Sequence, residues 1–286
     1  MNRKRLFIVS VPRSGSTVLT TMLDQYQDVL CLPEAYFPAL LDTLDHDELK
    51  NAERVASLFM ATCLDGSPLT FNEARDCVRD DKLATLEAIE SQVAIKYGRD
   101  PGSIRVVVWK YTRYVGKLPD LDRYNGHFVI LRRDPLNVFE SQFRVDFGEK
   151  NRSTLRFALF ESSYKAAFRA YPKERTLKID YPDLPAAVPV ILRTAGSSGI
   201  KRDQSGGGLG DYSGNKPWHS EITKPFKNTD PEKLRNLSKN QRITYRLSSG
   251  LLNLLPFIGF LARKAADHRE TGAAGHRADM VLTREK

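Results

Sequence analysis

The chain has 286 residues, 41% of them hydrophobic, enough for one sizeable core or two modest ones. Its 44 basic and 35 acidic residues leave a formal charge of +9, which suits an anionic ligand, a nucleic acid or a membrane surface; without zinc-finger spacing or a long basic arm, nucleic acid is set aside. Cys31, Cys63 and Cys77 are too dispersed for a disulfide framework or a C-x-x-C pair, and His46, His127, His219, His268 and His276 are equally scattered, so no metal site is expected and a reducing, cytoplasmic setting is.

Arg5 to Val11 reads as a strand, and Val18 to Tyr26 as a helix. Between them lies Pro12-Arg13-Ser14-Gly15-Ser16-Thr17. A strand, a tight glycine loop and a helix start bring backbone N–H groups and the positive helix end onto one anion. Arg13 adds a guanidinium fork, and Ser14, Ser16 and Thr17 add hydroxyl donors. Pro12 stiffens the entry and Gly15 admits a close turn. The loop is no Walker A motif, because no lysine stands between Gly15 and the helix. A plain βα turn with a surface arginine is the alternative reading.

Helices are expected over Glu48 to Cys63, Leu83 to Tyr97, Pro135 to Phe147 and Ser153 to Tyr171, and strands over Arg105 to Trp109, His127 to Leu131 and Arg175 to Ile179. Their alternation predicts an α/β protein with a mainly parallel sheet, whose ligands sit beyond the carboxyl ends of the strands. Arg193 to Pro217 is glycine- and serine-rich and reads as a lid loop or a linker. Helical character returns at Pro231 to Ser249. Leu251 to Leu261 is the most apolar stretch, too short to span a bilayer; core closure is its expected role and peripheral membrane contact the minor one.

After the strand ending at Leu131 comes Arg132-Arg133-Asp134-Pro135. Asp134 suits an N-cap, and Pro135 the first helical position. Ser141 and Arg144 are three apart and share a helix face, with Arg133 beside it. Two cations and a hydroxyl there make a second phosphate site; an N-capped surface helix with solvated arginines is the alternative.

Together the two anchors resemble the sulfotransferase family that uses 3′-phosphoadenosine 5′-phosphosulfate (PAPS), closest in motif style to the tyrosylprotein and bacterial members. The resemblance implies a P-loop-like three-layer α/β/α fold. It implies that Pro12 to Thr17 holds the donor's 5′-phosphosulfate and that Arg133 and Ser141 grip its 3′-phosphate. Glu34 falls where the tyrosylprotein enzymes carry their catalytic glutamate. Lys110 matches their strand-end lysine, although Tyr111-Thr112 replaces the usual Thr-Pro. Tyr181-Pro182-Asp183-Leu184 resembles the segment whose tyrosine lies near the adenine. Asn215 and Lys216 look like the closing loop, where the expected following arginine is absent. One such domain over residues 1–264 is expected, with a flexible tail over 265–286.

The implied activity is sulfuryl transfer from PAPS to a hydroxyl or amine of a small-molecule, glycan or lipid acceptor in a cytoplasmic, bacterial setting. Arg13, Lys110 and the loop N–H groups would stabilise charge on the departing bridging oxygen. The donor arrives activated, so no metal is chemically required. Glu34, expected on a loop after the first helix, is the candidate base, with His219 behind it. His127 is expected to be a packed strand residue. Tyr36, Phe37, Tyr114, Tyr212 and Trp218 are aromatic candidates for acceptor stacking or for the core. A nucleotide-dependent kinase or NTPase, and a non-catalytic anion-binding protein of the same fold, are the competing readings.

Overall fold

Strand β1 (Lys4–Ser10) is buried along nearly its whole length. In a computed structural model, which describes residues 3–63, 66–112, 115–144, 153–201, 228 and 230–254, β1 lies at the centre of a sheet. Among the described residues, the sheet has five strands in the order β2-β3-β1-β4-β5. The others are β2 (Val29–Glu34), β3 (Val106–Tyr111), β4 (Gly126–Arg132) and β5 (Thr176–Asp180). Every pairing is parallel.

A parallel sheet needs cover on both faces, and the period-2 alternation of its strands supplies two apolar faces. Phe7, Val9, Trp109, Phe128 and Ile130 face a core shared with α2 (Phe37–Leu41), α4 (Ala52–Thr62) and α6 (Lys82–Lys96). Leu6, Ile8, Val108, Val129 and Leu131 face the opposite core, built from α1 (Ser16–Asp24) and α9 (Leu184–Ala195). The arrangement is the three-layer α/β/α fold. Short helices α3 (His46–Lys50) and α5 (Phe71–Asp76) flank α4. A further layer joins α7 (Pro135–Arg144), α8 (Thr154–Phe168), α10 (Asp230–Arg235) and α11 (Lys239–Leu254) through Leu136, Phe139, Phe157, Leu237 and Tyr245.

One buried ion pair ties the sheet to α6. Arg5 donates through Nε and Nη2 to the two oxygens of Glu90 at 2.8 and 2.9 Å, and through Nη1 to the Tyr124 carbonyl at 3.1 Å. Trp109 Nε1 donates to the same Glu90 at 3.1 Å. Such saturation is what makes a fully buried carboxylate tolerable.

The structure departs from the sequence reading at four places. Glu34 is not on a loop: it ends the edge strand β2, which accommodates Pro33 because an edge has a side that donates to no neighbour, and the register shifts between Cys31 and Glu34. The helix expected over Glu48 to Cys63 is broken at Asn51, whose extended backbone lets its side chain accept from Arg54 N at 3.0 Å and start α4 anew. The helical stretch from Pro231 is likewise split, because Ser238 and Gln241 exchange side chain–backbone hydrogen bonds at the start of α11. Arg193 to Ala195 complete α9, which Gly196 ends at φ +69°; Arg202 to Pro217 lie outside the described residues.

Candidate active site

The carboxyl ends of all five strands deliver candidate residues to one edge of the sheet, the position where parallel α/β sheets take their ligands. After β1 the backbone turns left-handed at Arg13 (φ +75°) and again at Gly15 (φ +97°). A positive φ is uncommon for a residue with a side chain, and Arg13 adopts it inside a loop already implicated in anion binding. Gly15 is the N-cap of α1, which has no side-chain cap and no acidic residue in its first turn. Its first N–H groups and positive end are thereby left facing the loop. Gly15 is also a contact point: a Cβ there would lie 2.4 Å from Cε2 of Tyr181, at the end of β5.

Arg133, just beyond β4, joins this loop. Its Nη1 donates to the Arg13 carbonyl at 2.9 Å, and its Cζ sits 4.0 Å above the centre of the Tyr181 ring. The Nε donates to Asp230 Oδ1 at 2.8 Å, and Nη2 reaches the same oxygen. From α7, Ser141 Oγ accepts from Arg13 Nε at 3.4 Å, and Gln142 Nε2 donates to the Pro12 carbonyl at 3.0 Å. Asp134 starts α7 as expected, accepting from Leu136 N and Asn137 N at 3.0 and 3.1 Å. The two segments that the sequence reads as anion grips therefore meet in one cradle. Burial, and next to it the charge of Arg133, lowers the Arg13 guanidinium from its ordinary value.

On the other side of β1 a second chain of contacts runs through Lys110. Its Nζ lies 3.2 Å from Thr17 Oγ1 in the first turn of α1 and 3.5 Å from Glu34 Oε2. The pairing register of β2 and β3 sets Glu34 opposite Lys110. The Thr112 hydroxyl donates to Glu34 Oε1, while Tyr164 fixes Thr112 by donating to its carbonyl at 2.6 Å. A carboxylate so tethered can accept a proton at a defined place, with a cation beside it to meet charge on a neighbouring group.

Pro12, Ser14 and Ser16 are buried in the loop and helix start, and Thr17 is half-buried. Tyr36 and Phe37 belong to the core rather than to an open face. His127 is a half-buried residue of β4, and burial, then Lys4 and Arg175, lower its imidazole from the ordinary value. Arg144 is the last residue of α7; its side chain, and all of Tyr114, Tyr212, Asn215, Lys216, Trp218 and His219, lie outside the described residues.

Sequence reasoning missed Thr112, Gln142 and Asp230. Thr112 stands two residues after Lys110, so strand alternation was a usable signal for it. Gln142 adjoins Ser141, but nothing local marks its bond to the loop. Asp230 is 97 residues from Arg133 and carries no sequence signal. Among the described residues, no group of three or more His, Cys, Asp or Glu side chains is arranged to hold a metal, and no helix is long and apolar enough to cross a membrane.

A family model described as "Sulfotransferase family" matches residues 5–193. No curated protein matches the chain. Solved structures similar to it include a sulfotransferase from Alicyclobacillus acidocaldarius, 14% identical, covering 89% of this chain and 96% of that one at a TM-score of 0.44. Another is the sulfotransferase domain of the Synechococcus PCC 7002 olefin synthase, 20% identical over 87% of this chain and 93% of that one, TM-score 0.42. A third is a retinol dehydratase in complex with androsterone and inactive cofactor PAP, 15% identical over 89% and 80% respectively, TM-score 0.33.

Proposed function

The chain belongs to the sulfotransferase family, and from that premise we propose that it moves a sulfuryl group from PAPS to a hydroxyl or amine, with carbohydrates and lipids the foremost acceptor classes. The observation that carries this reading is the single cradle formed where Arg133 meets the Arg13 loop, with Ser141 at its edge. Its donor set fits an anionic nucleotide. Two guanidiniums, the uncapped start of α1 and the loop hydroxyls suit phosphate and sulfate oxygens, and a glycine pressed against Tyr181 leaves no side chain in the way.

In this reading Arg133 and Ser141 hold the 3′-phosphate, and Pro12 to Thr17 hold the 5′-phosphosulfate. Arg13 and Lys110 counter the charge that develops on the bridging oxygen as the S–O bond breaks. Glu34 accepts the acceptor's proton; its bond from Thr112 and its proximity to Lys110 support that role by fixing where the carboxylate stands. Asn215, Lys216 and Arg144 complete the donor site. The test is transfer of labelled sulfate from PAPS, in the presence of a chelator, into a panel of sugars, lipids, phenols and tyrosine peptides. Label appearing in one acceptor class supports the proposal, and its appearance only when ATP and magnesium are supplied sinks it.

A further inference from the structure

The guanidinium of Arg133 is engaged at all three of its nitrogens. Its Nη1 serves the Arg13 carbonyl, its face lies on Tyr181, and its Nε/Nη2 edge converges on one oxygen of Asp230. That edge is one of the two by which an arginine takes a carboxylate or a phosphate in a two-pronged grip. The Arg133 side chain is only 4% exposed, so no second broad approach is open to a phosphate while Asp230 stays in place.

Asp230 opens α10, where its backbone N–H donates to Asn228 Oδ1 at 3.1 Å, and packing fixes that helix. Its helix α10 lies against α7, and Asn236 Nδ2 donates to Glu140 Oε1 at 3.1 Å. Arg242 of α11 closes α10 by donating to the carbonyls of Leu234 and Leu237. The Tyr245 hydroxyl donates to Glu161 at 2.6 Å and ties α11 to α8. The carboxylate is thus set deliberately against a cation that stands beside a second one, Arg13. Two guanidiniums this close are costly to bury without an anion between or beside them.

We propose that Asp230 is an intramolecular competitor for Arg133, which neutralises the cradle when no ligand phosphate is there and yields to that phosphate, so that it sets nucleotide affinity and hastens release of the bisphosphate product. The inference rests on the donor reading above. A phosphate monoester carries nearly two charges and three acceptor oxygens against one charge and two oxygens for the carboxylate, so the exchange favours the ligand. Donor and product share the 3′-phosphate, and the competition therefore weakens both. Its benefit falls on the step after transfer, where product departure sets the turnover of many enzymes.

The experiment titrates 3′-phosphoadenosine 5′-phosphate and adenosine 5′-phosphosulfate into the 286-residue wild type, Asp230→Asn, Asp230→Ser and Arg133→Ala, with release rates from stopped-flow displacement and folding checked by melting. Asp230→Asn keeps the shape and loses the charge. It should bind the bisphosphate about tenfold tighter and release it correspondingly more slowly, the scale of one charge-assisted hydrogen bond. Adenosine 5′-phosphosulfate, which has no 3′-phosphate, should change by less than about twofold. Asp230→Ser should show the same contrast between the two ligands and serves if the first variant does not fold. Unchanged or weaker bisphosphate binding in a folded Asp230 variant, while Arg133→Ala still weakens it, overturns the competitor role alone. Bisphosphate binding that is absent in wild type, or indifferent to Arg133→Ala, overturns the donor reading and this inference with it.

Discussion

Arg133 Nη1 donates to the backbone carbonyl of Arg13 at 2.9 Å, so a residue after β4 holds the shape of the loop after β1. In the proposed complex Arg133 would act on both ends of the nucleotide, directly on one phosphate and through the loop on the other.

Arg133→Ala should weaken binding of 3′-phosphoadenosine 5′-phosphate by roughly ten- to a hundredfold, since a charge-assisted two-pronged contact is lost. Adenosine 5′-phosphosulfate should lose less, about threefold, through the slackened loop. Parallel calorimetric titrations measure both. Equal losses for the two ligands would place the effect in the loop or in folding instead.

Gly15→Ala meets two obstacles, a φ of +97° and a Cβ 2.4 Å from the Tyr181 ring. We expect a loss of about 1–3 kcal/mol in urea unfolding and severe loss of nucleotide binding. In a Tyr181→Ala background the collision is gone and the backbone strain remains, so Gly15→Ala should cost less there than in the wild type. An equal cost in the two backgrounds would remove the Tyr181 contact from the explanation.

Glu34→Gln should leave nucleotide affinity within about threefold and lower turnover by roughly a hundredfold, the scale of a lost general base. Thr112→Val withdraws the hydroxyl donated to Glu34 and should lower turnover by a smaller factor, about tenfold, with affinity again kept. Turnover near wild type in Glu34→Gln, with transfer shown to be rate-limiting, would take the proton-accepting role from this residue.

Glu90→Ala strands the buried Arg5 guanidinium that it now satisfies at 2.8 and 2.9 Å. Unfolding should become easier by about 3–5 kcal/mol, and replacing both partners by apolar residues should cost less than that single change. Denaturant midpoints compared at constant slope decide the matter, and a loss under about 1 kcal/mol would mean water reaches the pair.

The features legible in the sequence are those whose cause is local. Phe7 to Val9 announce a buried strand, Gly15 a tight turn, and Asp134-Pro135 a helix start, and each forms where expected. Strand β2 escaped because Pro33 argues against a strand unless its edge position is known. Helix α9 escaped because Pro185 and Pro189 argue against a helix, yet Val188, Ile191 and Leu192 bury against the sheet and outweigh them. Within the site, Arg13, Arg133 and Ser141 were named from strand ends and helix spacing, and Lys110 and Glu34 from the family resemblance. Thr112 on Glu34 and Asp230 on Arg133 span 78 and 97 residues, and only the folded topology brings them together.

The central claim is that the joined Arg13–Arg133 cradle is a site for a 3′-phosphorylated adenine nucleotide. Calorimetric titration of the 286-residue chain with 3′-phosphoadenosine 5′-phosphate in a chelating buffer, beside ATP under the same conditions, tests it most directly. The account predicts a one-to-one complex at low micromolar affinity or tighter, on the order of −8 kcal/mol, with ATP at least about tenfold weaker. Equal affinity for the two nucleotides, or no binding of the bisphosphate, would contradict it.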